Sequence, residues 1–150
     1  MMDIENPWLL HFTHVQNLPG IIAQGLLAGS REPDISIDCG EPDIKQRRRH
    51  RDVPIEPFGV VADYVPFYFA ARSPMLRRIH GGGVRGYEHG QEPLVYLVTR
   101  LSRVISLGTP WVATDRNAAL ATARYTSAAM DIPTHIDWEV MEARSGEYRR

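Results

Sequence analysis

The sequence predicts a single α+β domain. Three observations carry that reading: a length of 150 residues, short apolar segments that switch irregularly between strand-like and helix-like spacing, and no repeat or linker that would divide the chain. A chain of this size suits one compact core. Its 43% hydrophobic and 23% charged residues lie close to globular averages, which excludes a disordered or fibrous protein.

The first apolar stretch, Trp8-Leu9-Leu10-His11-Phe12, reads as a strand. A helix follows from near Asn17, with Leu18, Ile21, Ile22 and Leu26 at helical spacing. Pro19 fits only its first turn, and Gly25 stops it. Residues 28–41, rich in Gly, Pro, Ser and Asp, form a loop of a length common at functional sites. Asp43 to Arg51 predicts a short, basic helix ended by Val53-Pro54. Tyr64-Val65-Pro66-Phe67-Tyr68-Phe69 is strand-like, but Pro66 excludes a fully paired position. Ser73 caps and Pro74 opens a further helix, which His80-Gly81-Gly82-Gly83 breaks. Leu94 to Thr99 has the pattern of a buried strand, and Val104 to Leu107 and Trp111 to Ala113 read as shorter ones. An alanine-rich stretch to about Met130 predicts a helix capped by Thr114 or Asp115. Asp137 to Ala143 predicts one more.

Several classes are disfavoured. No apolar run approaches the roughly 18–20 residues that span a bilayer. Met1-Met2-Asp3-Ile4-Glu5 lacks the basic-then-apolar pattern of a secretory signal, and the lone Cys39 fits a reducing compartment, so a cytoplasmic protein without a membrane partner is expected. There is no Walker A loop, no GxGxxG and no triad signature, which argues against a nucleotide-fold hydrolase. With neither HExxH nor CxxC spacing, no metal is expected. The net charge of −1 excludes a uniformly basic coat but not a local basic site.

Three clusters remain as chemical candidates. Lys45-Gln46-Arg47-Arg48-Arg49-His50-Arg51 cannot point every side chain one way from a helix. It is either a solvated basic face or a phosphate or nucleic-acid contact, with one or two arginines turned inward. His11 and Thr13 share a strand face and could line one pocket, while a structural histidine explains the position equally well. Tyr64 and Tyr68 alternate with Phe67 and Phe69, so the tyrosines are either core or a stacking face.

An ordered set of strings resembles one family, the DarT-type DNA ADP-ribosyltransferase toxins. The strings are His11-Phe12-Thr13-His14-Val15-Gln16-Asn17-Leu18-Pro19-Gly20-Ile21, Ile44-Lys45-Gln46-Arg47-Arg48, Asp63-Tyr64-Val65-Pro66-Phe67-Tyr68-Phe69, Arg72-Ser73-Pro74-Met75-Leu76, Gln91-Glu92-Pro93 and Thr114-Asp115-Arg116-Asn117. The resemblance implies an ADP-ribosyltransferase-like fold, a split mixed β-sheet core with surrounding helices and an NAD cleft. It implies transfer of ADP-ribose from NAD to a base, thymidine in this branch, of single-stranded DNA. It also implies a toxin role with a macrodomain antitoxin of the DarG type. Carried over by position, His11, Thr13, Asn17, Arg48 and Tyr68 are expected at NAD, with Arg48 also at the reacting centre. Arg47, Arg49, Arg51, Tyr64, Arg72 and Met75 are expected at the nucleic acid.

Cleaving the nicotinamide–ribose bond develops oxocarbenium character, which calls for a carboxylate. In the family that glutamate follows a basic lead-in, matched here by Tyr148-Arg149-Arg150, so it is expected immediately beyond Arg150, with impaired catalysis at this length. Glu139, Glu142 and Glu147 are poor replacements. Alternatives are a non-catalytic nucleic-acid- or nucleotide-binding module of the same fold and an RNA-directed transferase.

Overall fold

The structure, a computed structural model, describes residues 2–145. Strand β1 (Trp8–His14) runs two residues past the expected Phe12 and turns through Val15–Asn17 into helix α1 (Leu18–Gln24). Pro19 sits in the first turn, and Gly25 ends α1 at a φ of 84° that side-chain-bearing residues rarely adopt. The loop after it holds one tight turn, Gly29–Arg31. Helix α2 (Pro42–His50) carries the basic run, and α3 (Pro74–His80) starts where Ser73 Oγ accepts the Leu76 N–H at 3.1 Å.

Strand β2 (Leu94–Arg100) pairs antiparallel with all of β1, from Trp8 opposite Arg100 to His14 opposite Leu94. It is not the buried strand expected: Tyr96 and Val98 are exposed, because β1 is its one partner among the described residues and one face stays open to solvent. The other side of β1 meets Tyr68 through paired backbone bonds, Leu10 N–H to Tyr68 O at 2.9 Å and Tyr68 N–H to Leu10 O at 2.7 Å. That is all the pairing the Tyr64–Phe69 segment makes with β1, as Pro66 leads one to expect.

Two sequence expectations fail here. Val104–Leu107 is helical, within α4 (Leu101–Ser106), which starts directly at the end of β2. Leu101 and Val104 pack into one core at i,i+3 spacing, so the apolar run follows a helical period. Residues 115–130 form no long helix. Strand β3 (Ala113–Thr114) pairs antiparallel with β4 (Tyr125–Thr126), and the intervening segment is turns. The Asp115 carboxylate accepts the Arg124 backbone N–H at 2.8 Å and the Arg124 and Arg116 side chains, which folds the segment back on itself. Alanine propensity yields to that network. Of the expected Trp111–Ala113 strand, Ala113 alone is paired. Helices α5 (Ile132–His135) and α6 (Trp138–Ser145) close the described chain, α6 matching the last predicted helix.

The result is α+β with two small sheets, each antiparallel among the described residues. The alternation of β1 feeds two cores. Leu9 joins Leu101, Ala113, Ile132 and Ile136, with Phe67, Phe69 and Trp138 against them. Phe12 packs on Ile79, Val84 and Tyr87 beside Cys39 and Met75. Among the described residues no helix is long and apolar enough to cross a membrane.

Ile132 is fully buried in the first core. Ile132→Val should cost about 0.5–1.5 kcal/mol and Ile132→Ala about 2–5 kcal/mol, read as shifts in the urea denaturation midpoint.

Candidate active site

His11 stands on β1 where the chain from Pro66 to Tyr68 passes alongside. Its Nδ1 donates to the Pro66 carbonyl at 2.7 Å, and its ring tilts against Phe67 at 5.6 Å. A carbonyl can only accept, so Nδ1 carries the hydrogen and Nε2 keeps a lone pair. Burial holds the imidazole below the usual value of 6.5; the Pro66 bond works against that shift, and the Arg48 charge adds to it. At neutral pH the ring is therefore a neutral acceptor through Nε2.

Arg48 comes from the basic run of α2. Arg47 and Arg49 point to solvent, whereas Arg48 is half-buried and its Nη2 donates to the Tyr64 carbonyl at 2.9 Å. Burial lowers its affinity for the proton, with Tyr68 acting in the opposite sense, but a guanidinium remains charged under ordinary conditions. The phenol of Tyr68 is pushed up by burial, against the pull of Arg48 and a hydrogen bond with Ser73, and so stays protonated. Its ring stacks on Phe12 with centroids 5.8 Å apart and planes within 10°, and Tyr96 closes the far side of Phe12 edge-on at 6.3 Å.

His11, Arg48 and Tyr68 thus converge on one edge of β1: a cation, a neutral acceptor and a neutral phenol. No carboxylate acts on any of the three among the described residues. Glu139 and Glu142 occupy exposed positions on α6, and Glu147 lies outside the described residues.

The remaining expected residues separate. Thr13 and Asn17 are buried in an internal network: Asn17 Nδ2 donates to Thr13 Oγ1 at 3.1 Å and to Ile37 O at 2.7 Å, and the Ile37 N–H donates to Asn17 Oδ1 at 2.9 Å. With both amide hydrogens engaged, Asn17 anchors the long loop to β1 and offers no donor to a ligand. Met75 packs into the second core. The Arg51 carbonyl accepts the Val61 N–H at 2.9 Å, the Tyr64 hydroxyl donates to Phe58 O at 2.7 Å, and the exposed Arg72 donates its backbone N–H to Arg144 O at 3.1 Å. Phe12, Pro66 and Ser73 were missed as site residues. Strand alternation had placed Phe12 opposite His11, and the partner it lacked was Tyr68 on the same face. No group of three or more His, Cys, Asp or Glu side chains among the described residues is arranged to hold a metal.

A small α+β fold that sets a half-buried arginine beside a neutral histidine and a tyrosine has the features of an anion-binding nucleotide site, and comparison with known proteins makes the family specific. The family model described as "ssDNA thymidine ADP-ribosyltransferase, DarT" matches residues 10–150, and the chain belongs to that family. The DNA ADP-ribosyl transferase of Thermus sp. (strain 2.9) is 40% identical over 136 residues, covering 90% of this chain and 64% of the relative. Solved structures of Thermus sp. 2.9 DarT superpose with TM-scores of 0.85, in complex with ADP-ribosylated single-stranded DNA, and 0.81, in complex with NAD+. These share 40% and 38% identity and cover 89% and 95% of this chain, and 63% and 66% of the other. The ADP-ribosyltransferase-like fold is thereby established. The chain spans 60–64% of the length of the curated relatives it matches.

Because the folded-state value of His11 is depressed, the unfolded chain takes up its proton first on acidification. The His11 contribution to stability is complete above about pH 6.5 and falls as the pH drops below it, so His11→Asn should flatten the stability–pH curve between pH 6.5 and 5, measured by urea titration. Asn17→Ala, which strands the Ile37 N–H, should cost about 1–3 kcal/mol in the same assay.

Proposed function

We propose that this chain forms the NAD- and DNA-binding part of an enzyme that transfers ADP-ribose from NAD to thymidine in single-stranded DNA. The observation that carries the reading is Arg48, turned inward from an otherwise solvent-facing basic helix onto His11 and Tyr68. A half-buried guanidinium without a protein carboxylate beside it is a poor structural choice and a good pyrophosphate ligand. His11 Nε2 accepts a ribose hydroxyl, and the Phe12–Tyr68 stack supports a planar ring. Thr13 and Asn17 hold that edge in place from behind.

In the reaction the nicotinamide–C1′ bond breaks, nicotinamide leaves with the bonding electrons, and a ring nitrogen of the base attacks C1′ and gives up its proton. Arg48 balances the phosphate charge while the ribose becomes cationic. The carboxylate that would stabilise the ribose and take the proton is assigned outside residues 2–145. Attack by a base requires it to be unstacked, which favours a single strand. Arg47, Arg49, Arg51 and Arg72 are assigned to its phosphates, with Tyr64. Binding without transfer is the alternative, favoured by the lack of a carboxylate acting on Arg48 among the described residues.

A protein that marks DNA in its own cell requires an enzyme to remove the mark, and a macrodomain antitoxin of the DarG type acting in the cytoplasm fits that chemistry. As a toxin, the chain would then be tolerated at higher expression when such a macrodomain is co-produced.

Arg48→Ala should weaken NAD binding at least tenfold by calorimetry, where Arg49→Ala leaves it unchanged. Incubation with NAD and a thymidine-containing oligonucleotide, read by mass, should give an adduct heavier by one ADP-ribose, and Arg48→Ala should lower its yield at least tenfold. If Arg48→Ala binds NAD normally, the site assignment is wrong. An RNA oligonucleotide in parallel identifies a transferase of the other specificity.

A further inference from the structure

Outside the His11–Arg48–Tyr68 edge, the segment between β3 and β4 carries an arrangement that the reading above does not use. Asp115 is buried, its side chain 6% exposed, yet it gathers two arginines whose side chains are 51% (Arg116) and 72% (Arg124) exposed. Burial would raise its carboxyl, but the Arg124 backbone N–H and both guanidiniums hold it far below the usual carboxylate range. It is therefore a permanent anion that orients two long, otherwise mobile cations. Arg124 uses Nε for Asp115, at 3.2 Å, and among the described residues its Nη groups meet no further acceptor. The trio keeps a net charge of +1 facing solvent.

Aromatic side chains adjoin it. Tyr125 follows Arg124 and is fixed by a 2.6 Å hydrogen bond from its hydroxyl to Ala118 O. Tyr125 is near enough to Tyr64 for the two phenols to act on each other, and Arg51 acts on Tyr125. Tyr64 in turn donates to the carbonyl of Phe58, a phenylalanine left 53% exposed, and its own carbonyl receives Arg48. Preordered guanidinium forks beside one exposed and two half-buried rings are what an extended single strand needs: phosphates take the forks and successive bases stack on the rings.

We propose that Phe58, Tyr64 and Tyr125, flanked by Arg51, Arg116 and Arg124, form a strip that binds the single-stranded DNA leading away from Arg48. The inference rests on the DNA-directed reading above and adds the path of the strand. Asp115 acts as a positioning residue by keeping two arginines extended and ready. The strip engages nucleotides beyond the reacting one, so its contribution grows with oligonucleotide length and is sensitive to salt.

The test uses fluorescence anisotropy with labelled oligothymidylates of four and ten nucleotides, and calorimetry with NAD. Two variants probe independent parts: Arg116→Gln/Arg124→Gln for the forks, and Phe58→Asn for the rings. Asn tolerates the φ of 60° at position 58, and the ring there is largely outside the core. The double variant should bind the ten-mer about tenfold or more weakly and lower the salt slope by about one to two. Phe58→Asn should weaken the ten-mer about fivefold or more. Both should match the unmodified chain on the four-mer and on NAD. Equal binding of the ten-mer by all three proteins overturns the strip and leaves the transferase reading standing. No ten-mer binding by the unmodified chain, with NAD still bound, overturns the strip together with the DNA substrate. Loss of NAD binding by the unmodified chain counts against the transferase reading alone if the ten-mer responses remain as expected.

Discussion

The antiparallel ladder between β1 and β2 is the constraint on which the rest depends. Its register, fixed from Trp8–Arg100 to His14–Leu94, decides which side chains of β1 face which core. A one-residue slip would send Leu9 to the second core and Phe12 to the first, and would turn His11 away from Pro66. The ends of the ladder are pinned. At one end, Arg100 lies over the Trp8 ring at 3.8 Å and donates to Asp3 and Asn6. At the other, Val15 donates to Pro93 O at 2.9 Å, and the buried His14, whose Nδ1 accepts the Gln16 N–H, donates through Nε2 to His89. Both histidine rings pack against Tyr87 of the second core.

Electrostatically the candidate site is unbalanced, and that imbalance is informative. Elsewhere a buried charge has a counterion: Asp115 has two arginines, and the buried Glu41 at the start of α2 has Arg78 at 3.4 Å and Arg85 at 3.7 Å. Arg48 has a carbonyl, a neutral imidazole and a phenol. A cation half-removed from water without an anion is costly to keep, and the cost is offset when an anionic ligand arrives. The same helix that exposes Arg47 and Arg49 makes this choice for Arg48 alone, because a spacing of one residue turns the chain by about 100°.

Most of the architecture was legible in the sequence where local signals and tertiary packing agree. Pro19, Gly25, Ser73 and Pro74 mark helix ends by backbone chemistry that no environment reverses, and those boundaries hold. The sequence misled where a strong local propensity met a longer-range bond. The alanines of residues 118–128 are good helix formers, but Asp115 captures the Arg124 N–H nine residues away and the segment becomes a loop closed by β3 and β4. Val104, Ile105 and Leu107 look like a strand in isolation, whereas Leu101 sets their period as helical. At the candidate site, His11, Arg48 and Tyr68 were singled out from position in matched strings, and the fold brings the three to one edge of β1. Asn17 was singled out too, whereas its hydrogen bonds tie the Ile37 loop down, a distinction that no spacing reveals.

Pro66 began as a defect in a strand. In an antiparallel pairing that sets Leu10 opposite Tyr68, the next hydrogen-bonded pair would join Phe12 to residue 66, and an ordinary residue there would exchange both backbone bonds with Phe12. Proline has no N–H, so the zipper stops one step short, and the carbonyl left over is the one His11 takes. Sealing the seam would give a longer sheet with a loose imbalanced imidazole beside it, free to turn either nitrogen inward. The interruption instead dictates which nitrogen is left to accept. A gap in the weave, one atom wide, is how a stretch of ordinary sheet acquires a ring with a defined chemical polarity.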